Sequence, residues 1–223
     1  MIVTKAQEAI ASITPEEIDK YNKYWLKITP NDDEEYYWRW IFGFLSVHTS
    51  WSSNVNSYSL LRRHEWRDNE QELMRLLKES RVGLYKVRHR GILEFTTAYW
   101  KNPECWKKYK TESWISCRNR LMNKCYGLGL AKTAFSLEMC YPLENRSVCL
   151  DTHMYQLYGY STKELHKAQK HYSLMESYWN IYCDDKGVSP YIARCIFWDK
   201  KQNQTDSRYW SYVLENESTK ICN

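Results

Sequence analysis

The chain has 223 residues, of which 43% are hydrophobic and 26% are charged. This composition excludes an intrinsically disordered protein, and the length suits one large domain or two small ones. The net charge of +5 is a mild basic bias, which is compatible with a polyanionic partner without proving one. Aromatic residues reach 16%, including 11 Trp and 19 Tyr, and such side chains either pack in a core or stack on planar ligands such as nucleobases.

The eight cysteines form no Cys-x-x-Cys pair, which argues against a structural zinc site. The chain does not open on a charged stretch followed by an apolar core, and no apolar run approaches the ~18 residues of a membrane span. We therefore expect a soluble intracellular protein, in the cytoplasm, nucleoid or nucleus, without a membrane partner or a metal site. Its cysteines should be reduced and act as small core residues.

Signals for the starts of helices recur along the chain. Residues 14–17 combine a capping Thr, Pro at the first helical position and Glu three residues after the cap, and residues 68–71 and 161–164 repeat the cap followed by Gln or Glu. Apolar residues between these signals follow a spacing of three and four, as in residues 73–77, and sustained alternation is absent. The pattern predicts an all-α fold of about ten helices joined by short loops.

The predicted helices are expected to form two lobes. Residues 50–141 would form one helical bundle that ends in a helical hairpin, whereas residues 1–49 and 142–223 would combine into a second, discontinuous helical domain. No low-complexity segment or fixed-period repeat interrupts the chain.

The hairpin is predicted from residues 126–135, which read YGLGLAKTAF. Residues 113–124 are predicted to form a helix that ends near the first glycine, and a second helix is predicted from Leu130 onward. Gly127 and Gly129 let the backbone turn sharply and approach another chain, and the free N–H groups that open the second helix suit a phosphate oxygen. A tight helix-helix turn with a glycine cap explains the same pattern without any ligand.

Asp151 is the second notable feature, because it precedes a short apolar helix after the segment Val148-Cys149-Leu150. Its structural role would be an N-cap, which is favoured over Ala by ~1 kcal/mol. Capping is compatible with catalysis, since a carboxylate held by backbone N–H groups stays ionised and faces developing positive charge.

Together, the hairpin, the lysine beside it and the downstream aspartate resemble the helix-hairpin-helix DNA glycosylase superfamily, which contains endonuclease III and the adenine and oxidised-guanine glycosylases. Residues 44–49, followed by residues 55–56, resemble the early Leu-Ser-x-Gln helix of that family. Residues 83–85 resemble the loop that enters the duplex, and residues 149–153 resemble the Val-Asp-Thr-His signature. These landmarks occur in the family's order.

The resemblance implies a DNA glycosylase of base excision repair. It would act as a monomer, flip a damaged or modified base out of double-stranded DNA and hydrolyse the N-glycosidic bond through an oxocarbenium-like transition state. Asp151 would stabilise that cation and help to activate the nucleophile. Leu84 or Tyr85 would fill the gap left by the flipped base. The DNA-binding residues that the resemblance implies are Gly127, Leu128, Gly129, Thr133, His153, Leu84, Tyr85 and His48, the last of which has a packed interior role as its alternative.

Lys132 is the second catalytic candidate. In family members that also cut the strand, an amine of the second hairpin helix attacks the sugar and forms a Schiff base. Counted from the glycines, Ala131 takes the place of that lysine, whereas counted back from Asp151, Lys132 does. One residue rotates the side chain by about 100 degrees around the helix, so the two registers differ in chemistry. AP lyase activity and a lysine that only contacts phosphate or solvent both stay open.

The resemblance departs from endonuclease III near the carboxy terminus, where that enzyme carries a four-cysteine iron-sulfur cluster. Cys183, Cys195 and Cys222 are too widely spaced to reproduce it, so we expect no cofactor. Two other functions stay open. One is a transferase of the same fold that alters a modified thymine without breaking the glycosidic bond, and the other is a non-catalytic DNA-binding protein that keeps only the hairpin.

Overall fold

A computed structural model describes residues 5–201, and every structural statement concerns this part of the chain. It contains twelve α-helices and two short 3-10 helices, Pro103–Trp106 and Thr162–Glu164, and no strand. The predicted all-α class is therefore confirmed. The helices are α1 (Lys5–Ala11), α2 (Pro15–Lys27), α3 (Asp33–Leu45), α4 (Trp51–Arg62), α5 (Glu70–Glu79), α6 (Tyr85–Lys101), α7 (Trp114–Met122), α8 (Leu130–Cys140), α9 (Thr152–Leu157), α10 (Leu165–Lys170), α11 (Tyr172–Lys186) and α12 (Pro190–Lys201).

The predicted start signals are present as caps. Thr14 accepts a hydrogen bond from the Glu17 N–H at 3.2 Å, and the Glu17 carboxylate accepts one from the Thr14 N–H at 2.8 Å, which completes a capping box. Asn69 caps α5 by accepting from the Glu72 N–H at 3.0 Å. Ser161 and Glu164 also form a capping box, but it opens a 3-10 helix, which α10 then follows.

The described residues divide into two compact units. Unit 1 comprises residues 5–29 and 137–201, and unit 2 comprises residues 30–136. The first division lies between residues 29 and 30, whereas the sequence predicted it between residues 49 and 50. The difference arises because α3 packs against α4 and α6 and so belongs to unit 2. Residues 1–4 and 202–223 of the predicted discontinuous domain lie outside the described residues.

The core of unit 2 is built from aromatic side chains. Phe95 of α6 packs edge-on against Trp106, with ring centroids 4.8 Å apart, and Trp40 of α3 lies 5.8 Å from both rings. At Gly43, a Cβ atom would lie 2.0 Å from Ser136 Oγ, so glycine permits α3 and α8 to approach closely. Much of the aromatic excess in the composition is therefore core packing.

Unit 1 has its own core, in which α1 packs on α11 and α2 packs on α12. The rings of Trp25 and Tyr191 lie 4.7 Å apart, and Trp179 Nε1 donates a hydrogen bond to the Pro190 carbonyl at 3.0 Å. Tyr21 donates to the buried Asp199 carboxylate. These contacts join the amino-terminal helices to the carboxy-terminal ones within the same unit.

Six of the seven described cysteines are buried, and none of the seven forms a disulfide. Burial raises the pKa of the Cys117 and Cys195 thiols to about 12, so these side chains are unreactive. The predicted role of the cysteines as small core residues is confirmed for these six positions. No helix within residues 5–201 combines the length and the apolar character that a membrane span requires.

Candidate functional site

The predicted hairpin is present in unit 2, where residues 123–129 join α7 to α8. Gly127 has a φ of +85°, in the left-handed region that favours glycine. Both Gly127 and Gly129 are exposed. The N–H groups of Gly129, Leu130 and Ala131 have no hydrogen-bond partner among the described residues. The start of α8 therefore presents free donors and the positive end of the helix dipole, which together suit an anion.

Helix α6 supports the hairpin loop from within unit 2. A Cβ atom on Gly91 would lie 2.4 Å from the Tyr126 carbonyl oxygen, and one on Gly127 would lie 3.1 Å from Val87 Cγ1. The guanidinium carbon of Arg90 lies 3.8 Å from the centroid of the Tyr126 ring. Sequence reasoning missed Gly91, although a glycine inside a helical pattern costs ~1 kcal/mol relative to Ala and can have a packing reason.

Lys132 lies in the first turn of α8 and is half-buried. Its Nζ atom lies 5.3 Å from the centroid of the Phe135 ring, and it pairs with no carboxylate of the described residues. Phe135 continues an aromatic cluster in unit 2, because its ring lies 6.2 Å from Phe42, which lies 5.3 Å from Trp51. An amine without a carboxylate partner suits either a nucleophile or a phosphate contact, so both roles stay predictions.

Leu128 and Thr133, two of the residues expected to bind DNA, are buried, with 5% and 0% of their surfaces exposed. The Thr133 N–H donates to the Gly129 carbonyl at 3.0 Å within α8, and its Oγ1 atom faces the interior without a partner among the described residues. Neither polar group of Thr133 is thus presented for a phosphate contact. Leu128 instead anchors the hairpin loop in the core.

Residues 80–84 form the loop between α5 and α6, and this loop carries the residues expected to enter the duplex. Leu84 is 51% exposed and has a φ of +56°, and Arg81 has a φ of +55°. Left-handed backbone is costly for residues with a Cβ, and such strain often marks functional positions. Tyr85 is the first residue of α6 and is half-buried, and the centroid of its ring lies 5.7 Å from Lys78 Nζ. Leu84 is therefore the more accessible of the two candidates.

His48 is exposed and has a φ of +46°, so the packed interior alternative for this side chain is wrong. The turn that carries it is held by Arg88, which donates to the Phe44 carbonyl at 3.3 Å and to the Val47 carbonyl. Burial lowers the pKa of Arg88 to about 10, and its charge faces the carbonyl end of α3. Arg88 thus supports the turn that carries His48.

Asp151 lies in unit 1 and is the N-cap of α9. Its Oδ1 atom accepts hydrogen bonds from the N–H groups of His153 at 2.9 Å and Met154 at 3.0 Å. Its Oδ2 atom has no hydrogen-bond partner among the described residues, and the side chain is half-buried. The predicted cap is confirmed, and one oxygen of a rigidly held carboxylate is left for chemistry.

His153, another residue expected to contact DNA, is half-buried. Its ring packs edge-on against Trp198, with centroids 4.7 Å apart, and its Nδ1 atom is buried without a partner among the described residues. The backbone N–H of His153 donates a hydrogen bond to Asp151 Oδ1, so part of the role of His153 is to hold that carboxylate.

No group of three or more His, Cys, Asp or Glu side chains within residues 5–201 is arranged to hold a metal ion. Cys183 and Cys195 are buried, and Cys222 lies outside the described residues. The absence of an iron-sulfur cluster accordingly stays a prediction.

Among the solved structures that resemble this one are two DNA glycosylases. The 8-oxoguanine DNA glycosylase of Thermotoga maritima aligns with a TM-score of 0.60 at 16% identity, over 86% of this chain and 89% of that one. The 8-oxoguanine DNA glycosylase of Methanocaldococcus jannaschii aligns with a TM-score of 0.63 at 13% identity, over 90% of this chain and 93% of that one. No protein-family profile and no curated protein matches the sequence. At this identity the likeness establishes a common fold, which is the fold that the motifs predicted.

Proposed function

We propose that this chain, which has the fold of the 8-oxoguanine DNA glycosylases, is itself a DNA glycosylase that flips a damaged or modified base out of double-stranded DNA and hydrolyses its N-glycosidic bond. The observation that carries the proposal is the carboxylate of Asp151. Two backbone N–H groups hold its Oδ1 atom, and its Oδ2 atom has no partner among the described residues. The fold alone leaves the function open, and this carboxylate is the feature that supports an enzyme.

The chemistry follows from the charge that develops on the sugar. As the bond between C1′ and the base nitrogen breaks, its electron pair leaves with the base and positive charge spreads over C1′ and the ring oxygen. Asp151 stabilises that charge and accepts a hydrogen bond from the attacking water. The water oxygen bonds to C1′, and the departing base gains a proton. The N–H groups of His153 and Met154 that hold Oδ1 keep the carboxylate in one orientation for this step.

DNA binding is assigned to unit 2. The free N–H groups of Gly129, Leu130 and Ala131 would bind a backbone phosphate, a contact that fixes position without selecting a sequence. Leu84 would fill the space that the flipped base leaves in the stack. The proposed partner is double-stranded DNA with one modified base, and a monomer would suffice to bind it.

The first base to test is 8-oxoguanine, because both structural neighbours are named for it. A panel of duplexes would add uracil, hydroxymethyluracil, an alkylated adenine and a mismatch. Each duplex is incubated with wild-type protein, with Asp151→Asn and with Asp185→Asn, and strand breaks are resolved before and after alkali. Asp185 is an exposed carboxylate of the same unit and is the matched control.

We expect breaks for at least one base with the wild type and Asp185→Asn, and their loss in Asp151→Asn. Strand breaks that appear only after alkali would indicate a monofunctional glycosylase, in which Lys132 contacts phosphate. Breaks without alkali, together with a borohydride-trapped adduct that Lys132→Ala abolishes, make Lys132 the nucleophile of an AP lyase. A heavier base in unbroken DNA would replace the proposal with the transferase. Equal binding by the wild type and Asp151→Asn, without any change to the DNA, would replace it with the non-catalytic protein.

A further inference from the structure

The segment that leads into Asp151 is buried and has no regular secondary structure, and its backbone N–H groups donate hydrogen bonds to side chains. Three successive N–H groups, those of residues 148–150, each donate to a different buried side chain. The bonds run from Val148 N–H to Glu176 Oε1 at 2.8 Å, from Cys149 N–H to Glu138 Oε1 at 2.9 Å and from Leu150 N–H to Tyr172 Oη at 3.2 Å. Glu138, near the end of α8, and two residues of α11 thereby fix the backbone immediately before the carboxylate, and all of these residues belong to unit 1.

Glu138 is the most constrained of these acceptors. Its side chain is 1% exposed, and its Oε1 and Oε2 atoms accept hydrogen bonds from Arg194 Nε at 3.1 Å and Nη2 at 2.5 Å. Complete burial raises the pKa of Glu138, and the guanidinium of Arg194, itself buried, opposes that rise. The two-point contact leaves the carboxylate a single orientation, in which Oε1 also faces the Cys149 N–H. The mechanism proposed above uses neither Glu138 nor Arg194.

We propose that Glu138, oriented by Arg194, is a positioning residue for Asp151. By fixing the Cys149 N–H it sets the backbone two residues before the carboxylate, while the N–H groups of His153 and Met154 fix the side chain itself. The inference rests on the proposed glycosylase function. Misplacement of a catalytic group by ~1 Å costs about 100-fold in rate, so an anchored backbone matters for the reaction.

Two substitutions of Glu138 separate positioning from stability. Glu138→Leu removes the acceptor of the Cys149 N–H and the partner of Arg194. Glu138→Gln keeps an amide oxygen for the Cys149 N–H and Arg194 Nε, but it removes the charge and replaces Oε2, the acceptor of Arg194 Nη2, with an NH2 group that cannot accept. Both variants lose stability, because each removes the buried carboxylate that pairs with the buried guanidinium of Arg194. They differ in whether the backbone before Asp151 stays anchored.

The kinetic readout is the single-turnover rate of base excision per folded molecule, on the duplex that the wild type cuts best. We expect Glu138→Leu to lose about 100-fold in this rate and Glu138→Gln to stay within about threefold of the wild type, with DNA affinity unchanged in both. Tyr21→Phe is the control, since it loses a buried hydrogen bond to Asp199 in the same unit and should lower the unfolding temperature without changing the rate. Equal rate losses in the Leu and Gln variants would overturn the proposal.

Amide hydrogen exchange in the absence of DNA gives a second readout that does not depend on activity. We expect faster exchange at Cys149 in Glu138→Leu, and wild-type exchange there in Glu138→Gln and Tyr21→Phe. Unchanged exchange at Cys149 in Glu138→Leu would overturn the positioning role even if excision is observed. A wild type that excises no base contradicts the proposed function, and the exchange measurement then decides on its own whether Glu138 fixes the segment before Asp151.

Discussion

Asp151 combines an observed cap with a proposed catalytic role. Its Oδ1 atom caps α9 through two N–H groups, and its Oδ2 atom keeps no partner among the described residues. The sequence predicted this cap, because aspartate directly before a short apolar helix is a typical N-cap. The sequence did not predict the buried side chains that accept hydrogen bonds from the N–H groups of residues 148–150. Glu138 and Glu176 belong to other helices, and only the tertiary fold brings them to this segment.

The backbone of Leu84 yields a prediction in which stability and activity change in opposite directions. Because Leu84 has a φ of +56° and half of its surface is exposed, Leu84→Gly should relieve backbone strain and raise the free energy of unfolding by about 1 kcal/mol. The same change removes the side chain proposed to fill the gap in the stack, so excision from duplex DNA should fall about tenfold, or ~1.4 kcal/mol of barrier. Urea unfolding and single-turnover excision measure the two effects.

The control for Leu84 is Leu174 of α11, which is 54% exposed. Leu174→Gly should lower stability, because glycine weakens a helix by about 1 kcal/mol, and it should leave excision unchanged. If Leu84→Gly excises the base as fast as the wild type, the loop of residues 80–84 has no part in base flipping. Left-handed backbone at a leucine carries no sequence signal, so this strain was visible only in the structure.

At the scale of the secondary-structure elements, α6 packs closely against the hairpin loop and so supports the proposed phosphate site. Gly91→Ala would place a Cβ atom 2.4 Å from the Tyr126 carbonyl oxygen, so the hairpin loop must shift. We expect a loss of about 1–3 kcal/mol in the free energy of unfolding and weaker binding of duplex DNA. Gly83→Ala is the control in the unfolding experiment, because a Cβ atom there would have no neighbouring atom within 4 Å. Unchanged stability and DNA affinity in Gly91→Ala would contradict the proposed support.

The segment before α7 yields a prediction about pH. Glu112 accepts hydrogen bonds from Arg120 Nε at 2.9 Å and from the Tyr109 N–H at 2.8 Å, and Arg120 holds the pKa of this carboxyl at about 2, below its ordinary value of 4.5. A lowered pKa stabilises the fold above pH 4.5, and that stabilisation is lost as the pH falls from 4.5 through about 2.

Glu112→Gln should therefore be less stable than the wild type by about 2 kcal/mol near pH 6, and the difference should shrink toward zero near pH 2. Urea unfolding of both proteins across this range measures the difference. Glu104→Gln is the control, because that carboxylate is 75% exposed and should contribute little at any pH. A stability difference that does not depend on pH would contradict the ionic role of Glu112.

At the scale of the whole molecule, local signals predicted the helices and the order of the motifs, and the solved neighbours share that fold. The division at residues 29 and 30 was not predicted, because it depends on α3 packing with α4 and α6. Thr133 is a second residue whose environment the sequence did not predict. Its place in the motif suggested a phosphate contact, but its position on α8 turns the side chain inward. Sequence motifs thus predicted the segments of the candidate site, whereas packing determines which of their side chains reach solvent.

The two units also carry separable parts of the proposed function. The hairpin donors lie in unit 2 and Asp151 lies in unit 1. The most direct test is therefore to measure, for 8-oxoguanine duplex or whichever base the panel identifies, the affinity for DNA and the release of free base by mass spectrometry, in the wild type and in Asp151→Asn. We expect equal affinities, with free base and abasic DNA from the wild type and at least a 100-fold slower release from Asp151→Asn, a loss of ~2.7 kcal/mol in transition-state stabilisation. Release of free base at the same rate by both proteins would contradict the account.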